Sequence, residues 1–262
     1  MMTTPTVARA IELLRQAKRV VALTGAGIST PSGIPDFRSP ESGVWDNVDP
    51  MEVASIYAFR HNPAIFFDWL RPLATTILTA EPNPAHLALA SLEENGRLQA
   101  VITQNIDLLH TRAGSRMVYE VHGSLRRATC QGCHHEVDAQ PLLEHYAHTG
   151  ELPICTCGHI IKPNVVLFGE MLPARVMHLA QAEAAMCDLM LVAGTSLDVA
   201  PRATCPSWPS GLAHSSSSSI LAPPTWTGKP TSCSGKMWPN CCRSWRNPFV
   251  GATKKSSSIS RK

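Results

Sequence analysis

Arg19-Val-Val-Ala-Leu-Thr-Gly-Ala-Gly-Ile-Ser29 decides the fold class. A short apolar run that stops at a glycine is the pattern of a strand buried on both faces of a parallel sheet and feeding a tight turn. Upstream, residues 7–17 place Ala8, Ile11, Leu13 and Leu14 on one stripe with Arg9, Glu12 and Arg15 outside it, an amphipathic helix. Downstream, residues 99–103 and 188–193 repeat the buried-strand pattern and end in Gln104-Asn105 and Gly194-Thr195-Ser196. Helical stretches over 85–94 and 174–185 lie between the runs. Strands alternating with helices predict an α/β fold with a doubly wound parallel sheet. Ligands of such sheets sit beyond the carboxyl ends of the strands, where all three loops fall. Residues 129–162 break the alternation and are rich in Cys and His, which predicts a small inserted module.

The 262 residues suffice for one large domain with a smaller one, and no apolar run approaches the roughly 20 residues that span a bilayer. Hydrophobic residues make up 44% and charged ones 16%, the balance of a soluble chain, and nothing in it demands oligomerisation, so a monomer is expected. The first residues lack a basic region, an unbroken apolar stretch and a small-residue cleavage site, so a cytoplasmic location is expected. The net charge of +3 does not argue for nucleic acid or membrane. Residues 201–262 hold nine Lys and Arg and no acid; removing them leaves 14 basic against 20 acidic residues, a net of −6 for the body.

Gly25-Ala26-Gly27-Ile28-Ser29 offers backbone N–H groups to a phosphate above the sheet, with a plain strand-to-helix turn as the alternative reading. Gly33-Ile34-Pro35-Asp36-Phe37-Arg38 then gathers an acid, an aromatic ring and a guanidinium in one loop, where Arg38 can grip phosphate and Phe37 can form an apolar lid. Thr103-Gln104-Asn105-Ile106-Asp107 follows the second strand, and Glu120-Val-His122-Gly-Ser124 brings a histidine to a glycine turn. Histidine is the natural general base near neutral pH, while Asn105 and Asp107 can orient a ribose or a water. His110, His135 and His159 read as structural. Cys130-Gln-Gly-Cys133 and Cys155-Thr-Cys157 have the chemistry of a tetrahedral four-thiolate zinc site with no open position, hence a structural one. Lone Cys187, in a mostly apolar run, reads as core.

In this order and together, these motifs, with Lys162-Pro-Asn-Val-Val-Leu-Phe-Gly-Glu170 and Gly194-Thr-Ser196, make the chain resemble the sirtuins, NAD-dependent protein-lysine deacylases, over residues 7–201. The resemblance implies a Rossmann-like domain (1–38, 81–128, 163–201), a helical insertion over 39–80 bearing cofactor and acyl contacts, and a zinc module over 129–162. It implies NAD+ and Zn2+ as cofactors and acylated lysine-containing proteins as partners, bound in the cleft between the domains. In the implied chemistry the acyl oxygen attacks C1′ of the nicotinamide ribose and nicotinamide leaves. His122, as base, then activates the ribose hydroxyl that takes the acyl group, giving O-acyl-ADP-ribose. Asn105 and Asp107 are implied as catalytic with it. Gly25, Ala26, Gly27, Ile28, Ser29, Ile34, Asp36, Phe37, Arg38, Gln104, Asn105, Ile106, Asp107, Gly194, Thr195 and Ser196 are implied around the cofactor. Val166, Phe168, Gly169 and Glu170 are implied to pair with the peptide as an added strand. Phe67 and Leu70 stand where a Tyr and an Arg read a succinyl carboxylate in one branch of the family, which implies an apolar floor and a preference for acetyl or other neutral acyl groups. A non-catalytic NAD- and zinc-binding module and an ADP-ribosyltransferase using the same pocket are the alternatives.

The resemblance stops near residue 201. Fourteen Ser, eight Pro and four of the six Trp crowd residues 201–262. Shifting the reading frame by one base turns Met237 to Cys242 into Val-Ala-Glu-Leu-Leu and the Ser215 to Ser219 tract into a β-forming apolar run. Residues 202–262 are therefore expected to be a frameshifted, disordered tail lacking the elements that complete the adenosine side of the pocket, with weak NAD binding, poor stability and little or no deacylase activity as the result.

Overall fold

The structure, a computed structural model, describes residues 5–37, 43–44, 48–195, 218–221 and 231–233. Helix α1 (Pro5–Gln16) leads into β1 (Val20–Thr24), whose five residues are all buried. Four helices follow: α2 (Pro50–Val53), α3 (Ile56–His61), α4 (Pro63–Thr79) and α5 (Pro84–Glu94). Next come β2 (Leu98–Thr103), α6 (Leu109–Arg112) and β3 (Val118–Glu120). β4 (Gly123–Cys130), β5 (Glu136–Asp138), α7 (Ala139–Thr149) and β6 (Ile161–Val165) form a second unit. The chain then returns through α8 (Ala174–Met186) to β7 (Leu189–Ala193), and β8 (Ser218–Leu221) and β9 (Thr231–Cys233) complete the described elements.

The main sheet has the order β3-β2-β1-β7-β8-β9. β1 pairs in parallel with both β2 and β7, and β3 in parallel with β2. Successive residues of β1 serve opposite layers. Val20 and Ala22 pack with Leu14 of α1 and Leu89 of α5, while Val21 and Leu23 pack with Met177 and Ala180 of α8. Both faces are covered, which is why the run carries no polar alternation. The three strands expected from sequence are present within a residue of their limits. β3, at three residues, was too short to show a period.

The smaller sheet, β5-β4-β6, runs from Gly123 to Val165 and spans the 129–162 expected for the zinc module. Nor is it separate from the helical insertion. Phe59, Phe66, Phe67 and Leu70 share one core with Leu125, Cys130, Leu143, Tyr146 and Ile161. The rings of Phe66 and Phe67 meet edge to face at 5.3 Å, and Phe67 lies 5.1 Å from Tyr146. Tyr146 donates to Asp68 at 2.7 Å, and Arg71 donates from Nε and Nη2 to the Ala147 carbonyl near the end of α7. Helices and knuckle thus fold as one body beside the main sheet.

Most of 202–262 lies outside the described residues, but two segments of the stretch expected to be without order are strands. β8 adds antiparallel to β7 and β9 antiparallel to β8. β7 would otherwise present a row of unpaired backbone groups, and an extended segment satisfies them whatever its side chains.

Candidate functional site

The loops after β1, β2 and β7 meet at one end of the sheet. Gly25 N–H donates to the Ala193 carbonyl at 3.0 Å and Gly27 N–H to the Gly194 carbonyl at 2.8 Å. A Cβ on Gly27 would stand 2.9 Å from Gly194 Cα, and one on Gly194, at φ +67, only 2.1 Å from Ile28 N. Approach to a ligand was the reason expected for these glycines; in the structure they first let two loops touch each other. Ile28 is 1% exposed and packs into the sheet core, so its side chain does not face the crevice.

A cavity opens beside this contact, lined by Ala26, Ser29, Ile34, Pro35, Phe37, Asn105, Ile106 and Asp107, with Leu73 and Ile77 from α4. Seven of the expected cofactor residues are therefore brought together. Arg38 and Ser196 lie outside the described residues. Phe67 and Leu70 do not line the cavity: each is 1% exposed in the small-domain core, and the α4 side chains at the cavity come from one and two turns further on. The helix carries apolar residues on more than one face, so the sequence did not distinguish the two positions.

Ser29 is the hub of the polar floor. Its Oγ donates to Asp107 Oδ2 at 2.6 Å and accepts from Asn105 Nδ2 at 3.1 Å. Asn105 Nδ2 also donates to the Gly25 carbonyl at 3.2 Å, and Asp107 Oδ1 accepts the Leu109 N–H at 2.9 Å. Asn105 Oδ1 is buried without a partner among the described residues, an acceptor that a ligand amide or a bound water would satisfy. Burial pushes the Asp107 carboxyl above its ordinary value against the pull of these donors.

His122 sits between β3 and β4, beside the same turn. Its Nδ1 donates to the Gln104 carbonyl at 3.1 Å, so the lone pair is on Nε2, the form a general base needs. The Gln104 side chain accepts from Thr195 Oγ1 at 2.8 Å, tying the β2 loop to the β7 loop. Asp36 is half-buried at the rim and does not line the cavity.

The segment after β6 joins the two bodies. Phe168 N–H donates to the Ala54 carbonyl and Ile56 N–H to the Phe168 carbonyl, both at 2.9 Å. Val166 N–H donates to the His122 carbonyl at 2.8 Å. Lys162, 6% exposed, clasps the turn: Nζ donates to the Val165 carbonyl at 2.8 Å and pairs with Glu170 at 3.0 Å. Gly169 keeps both backbone groups free of partners among the described residues, so of the expected peptide edge Phe168 is already used and Gly169 is open.

Cys130, Cys133, Cys155 and Cys157 converge, with all four Sγ atoms within 4.8 Å of one another and the shortest approach, Cys130 to Cys157, at 3.3 Å. Four thiolates at about 2.3 Å from a tetrahedral zinc stand about 3.8 Å apart, so the donor set fits that ion. His159 Nδ1 lies 3.6 Å from Cys157 Sγ and its ring covers Gly132, where a Cβ would collide at 2.4 Å. That contact explains the glycine between the first two cysteines. Cys187 is half-buried beside α8, its thiol pushed up to about 11 by burial.

The fold and the site define a doubly wound α/β protein with a ligand crevice at the strand ends and a structural metal knuckle. The chain belongs to the Sir2 family, whose model matches residues 25–201. A relative from Archaeoglobus fulgidus named NAD-dependent protein deacylase 2 is 48% identical over 202 residues, 76% of this chain and 79% of its own. A solved Sir2 structure holding a deacetylated peptide and 3′-O-acetyl-ADP-ribose is 40% identical, with a TM-score of 0.71 over 76% of this chain and 80% of that one. A further Sir2 enzyme structure, also 40% identical, reaches a TM-score of 0.74 over 92% and 98%. Among the described residues no helix is long and apolar enough to cross a membrane.

Proposed function

We propose that this chain removes acetyl and other neutral acyl groups from protein lysines with consumption of NAD+, releasing nicotinamide and O-acyl-ADP-ribose. The deacylase class accords with the family and with the relatives' names; the residue roles and the acyl preference are our reading. One observation carries it: the turn 104–107 holds His122 through the Gln104 carbonyl and, one and three residues on, presents Asn105 and Asp107 to the cavity. Asn105 and Asp107 hold the nicotinamide and ribose end, and Phe37 and Ile34 shield it from water. His122 takes the ribose hydroxyl proton on Nε2. The four-cysteine knuckle holds zinc, which when bound fixes the small domain and takes no part in the chemistry.

The α4 side chains at the cavity, Leu73 and Ile77, are apolar, and among the described residues Asp107 is the only charged one lining it. A succinyl carboxylate would be desolvated there beside another carboxylate, at a cost of several kcal/mol, so neutral acyl groups are preferred. Nicotinamide release by the full chain, measured with acetyl-lysine, succinyl-lysine and unmodified peptides, tests both parts. Release with acetyl-lysine alone is expected, slowed by weak NAD+ binding. Release without any acyl peptide would favour ADP-ribosyl transfer, and faster release with succinyl-lysine would overturn the acyl preference.

A further inference from the structure

Two buried histidines lie directly behind the polar floor, one in the first turn of α5 and one in α6. His86 is 0% and His110 2% exposed, and their rings meet edge to face at 4.8 Å. His86 reciprocates the Asn83 cap of its helix: the Asn83 N–H points at His86 Nδ1 over a long 3.4 Å. A backbone N–H can only donate, so Nδ1 is the acceptor and the ring proton is on Nε2. That Nε2–H faces Ser29 Oγ at 3.5 Å. Ser29 also accepts from Asn105, so both its lone pairs face donors and its own hydrogen is left for Asp107.

We propose that His86 is a positioning residue of the site: as an Nε2–H donor it holds the Ser29 hydroxyl, and Ser29 fixes the Asp107 carboxylate and the Asn105 amide that receive the nicotinamide end of NAD+. The inference rests on the NAD-dependent reading above. It gives the Ser29 hydrogen one direction. Without the histidine donor the hydroxyl can turn, and Asp107 loses its 2.6 Å partner. The His110 ring packs against the His86 edge, and its own Nε2 lies 2.9 Å from Thr24 Oγ1. Thr24 donates to Thr103, and Thr103 accepts the Asn105 N–H, so the second histidine braces the same turn from behind.

His86→Leu and His86→Gln in the full chain test this, Gln keeping an N–H donor at similar reach. Ring-nitrogen NMR of the unaltered protein should show His86 protonated on Nε2 alone at neutral pH. NAD+ affinity by titration calorimetry should fall about fivefold in His86→Leu, the worth of one ordinary hydrogen bond, and recover in His86→Gln. The KM for acyl peptide should stay unchanged in both. Unaltered affinity in His86→Leu, or equal losses in the two variants that track their melting temperatures, would overturn the proposal, as would a proton on Nδ1. If the unaltered chain binds NAD+ but turns over no acyl peptide, the deacylase reading fails while the affinity comparison still decides this one. If it binds no NAD+, both fall.

Discussion

At the ends of β1, β2 and β7 the loops are held by close backbone contact and a hydrogen-bonded floor, whereas the loops carrying Cys130, Cys133, Cys155 and Cys157 are held by the chemistry of four sulfurs. The first region has strands buried on both faces beneath it; the second has β5 of three residues and a β4 whose Arg126 and Arg127 face water. Where a core is deep, small residues and a few polar contacts place a loop. Where it is thin, a metal supplies what packing cannot.

Cys130→Ala should break the second region outright. Cys130 is fully buried and belongs both to the sulfur cluster and to the core shared by α4 and α7. A structural zinc contributes on the order of 10 kcal/mol, so loss of bound zinc and of near-ultraviolet dichroism is expected. Full zinc content in the variant would remove the metal from the comparison.

Gly194→Ala strikes the first region at its closest contact. A left-handed backbone and a Cβ 2.1 Å from Ile28 N should together cost about 4 kcal/mol in urea unfolding. A loss under about 1 kcal/mol would mean that the two loops separate easily.

Acid sharpens the contrast further. Burial lowers His86 from 6.5 to about 4 and holds His110 well below its ordinary value. Between pH 6.5 and 4 the unfolded chain therefore binds more protons, and stability falls as pH falls, with His86 contributing about 3 kcal/mol over that window. Asp107 and Glu120, raised by burial, work in the opposite sense. Comparing the pH dependence of unfolding with that of His86→Gln isolates the histidine, because the two acids are common to both. Equal slopes would mean that His86 protonates without penalty.

The smallest effect belongs to the surface. Arg127 and Glu136 pair at 2.6 Å with side chains 44% and 50% exposed, so Glu136→Gln should change stability by less than about 0.5 kcal/mol. A larger loss would make this exposed pair a second staple of the zinc module.

Much of this was legible in the chain because it rests on local pattern. Apolar runs ending in glycine located β1, β2 and β7, and cysteine spacing located the metal knuckle. Asn105, Asp107 and Ile106 were legible as the residues just past a strand. Ser29 was legible as a loop member but not as the hub, since its partners Asn105 and Asp107 are 76 and 78 residues away. His86 was not singled out, because a histidine within an Ala- and Leu-rich helix carries no signal until its cap and its neighbour are seen. Phe67 and Leu70 lie away from the described cavity for a related reason: helical spacing offers several apolar faces, and only packing against Tyr146 decides which of them is core.

The reversal of direction between β7 and β8 bears on the geometry of the crevice. β7 ends at the crevice, so β8, running the other way, starts beside it at Ser218, opposite Cys233 of β9, and carries its chain away towards Leu221. A parallel neighbour would have delivered its following loop to the ligand side; this one delivers it to the opposite pole of the sheet. Among the described residues the crevice is thus walled by the loops of β1, β2 and β7, and β8 leads away from it.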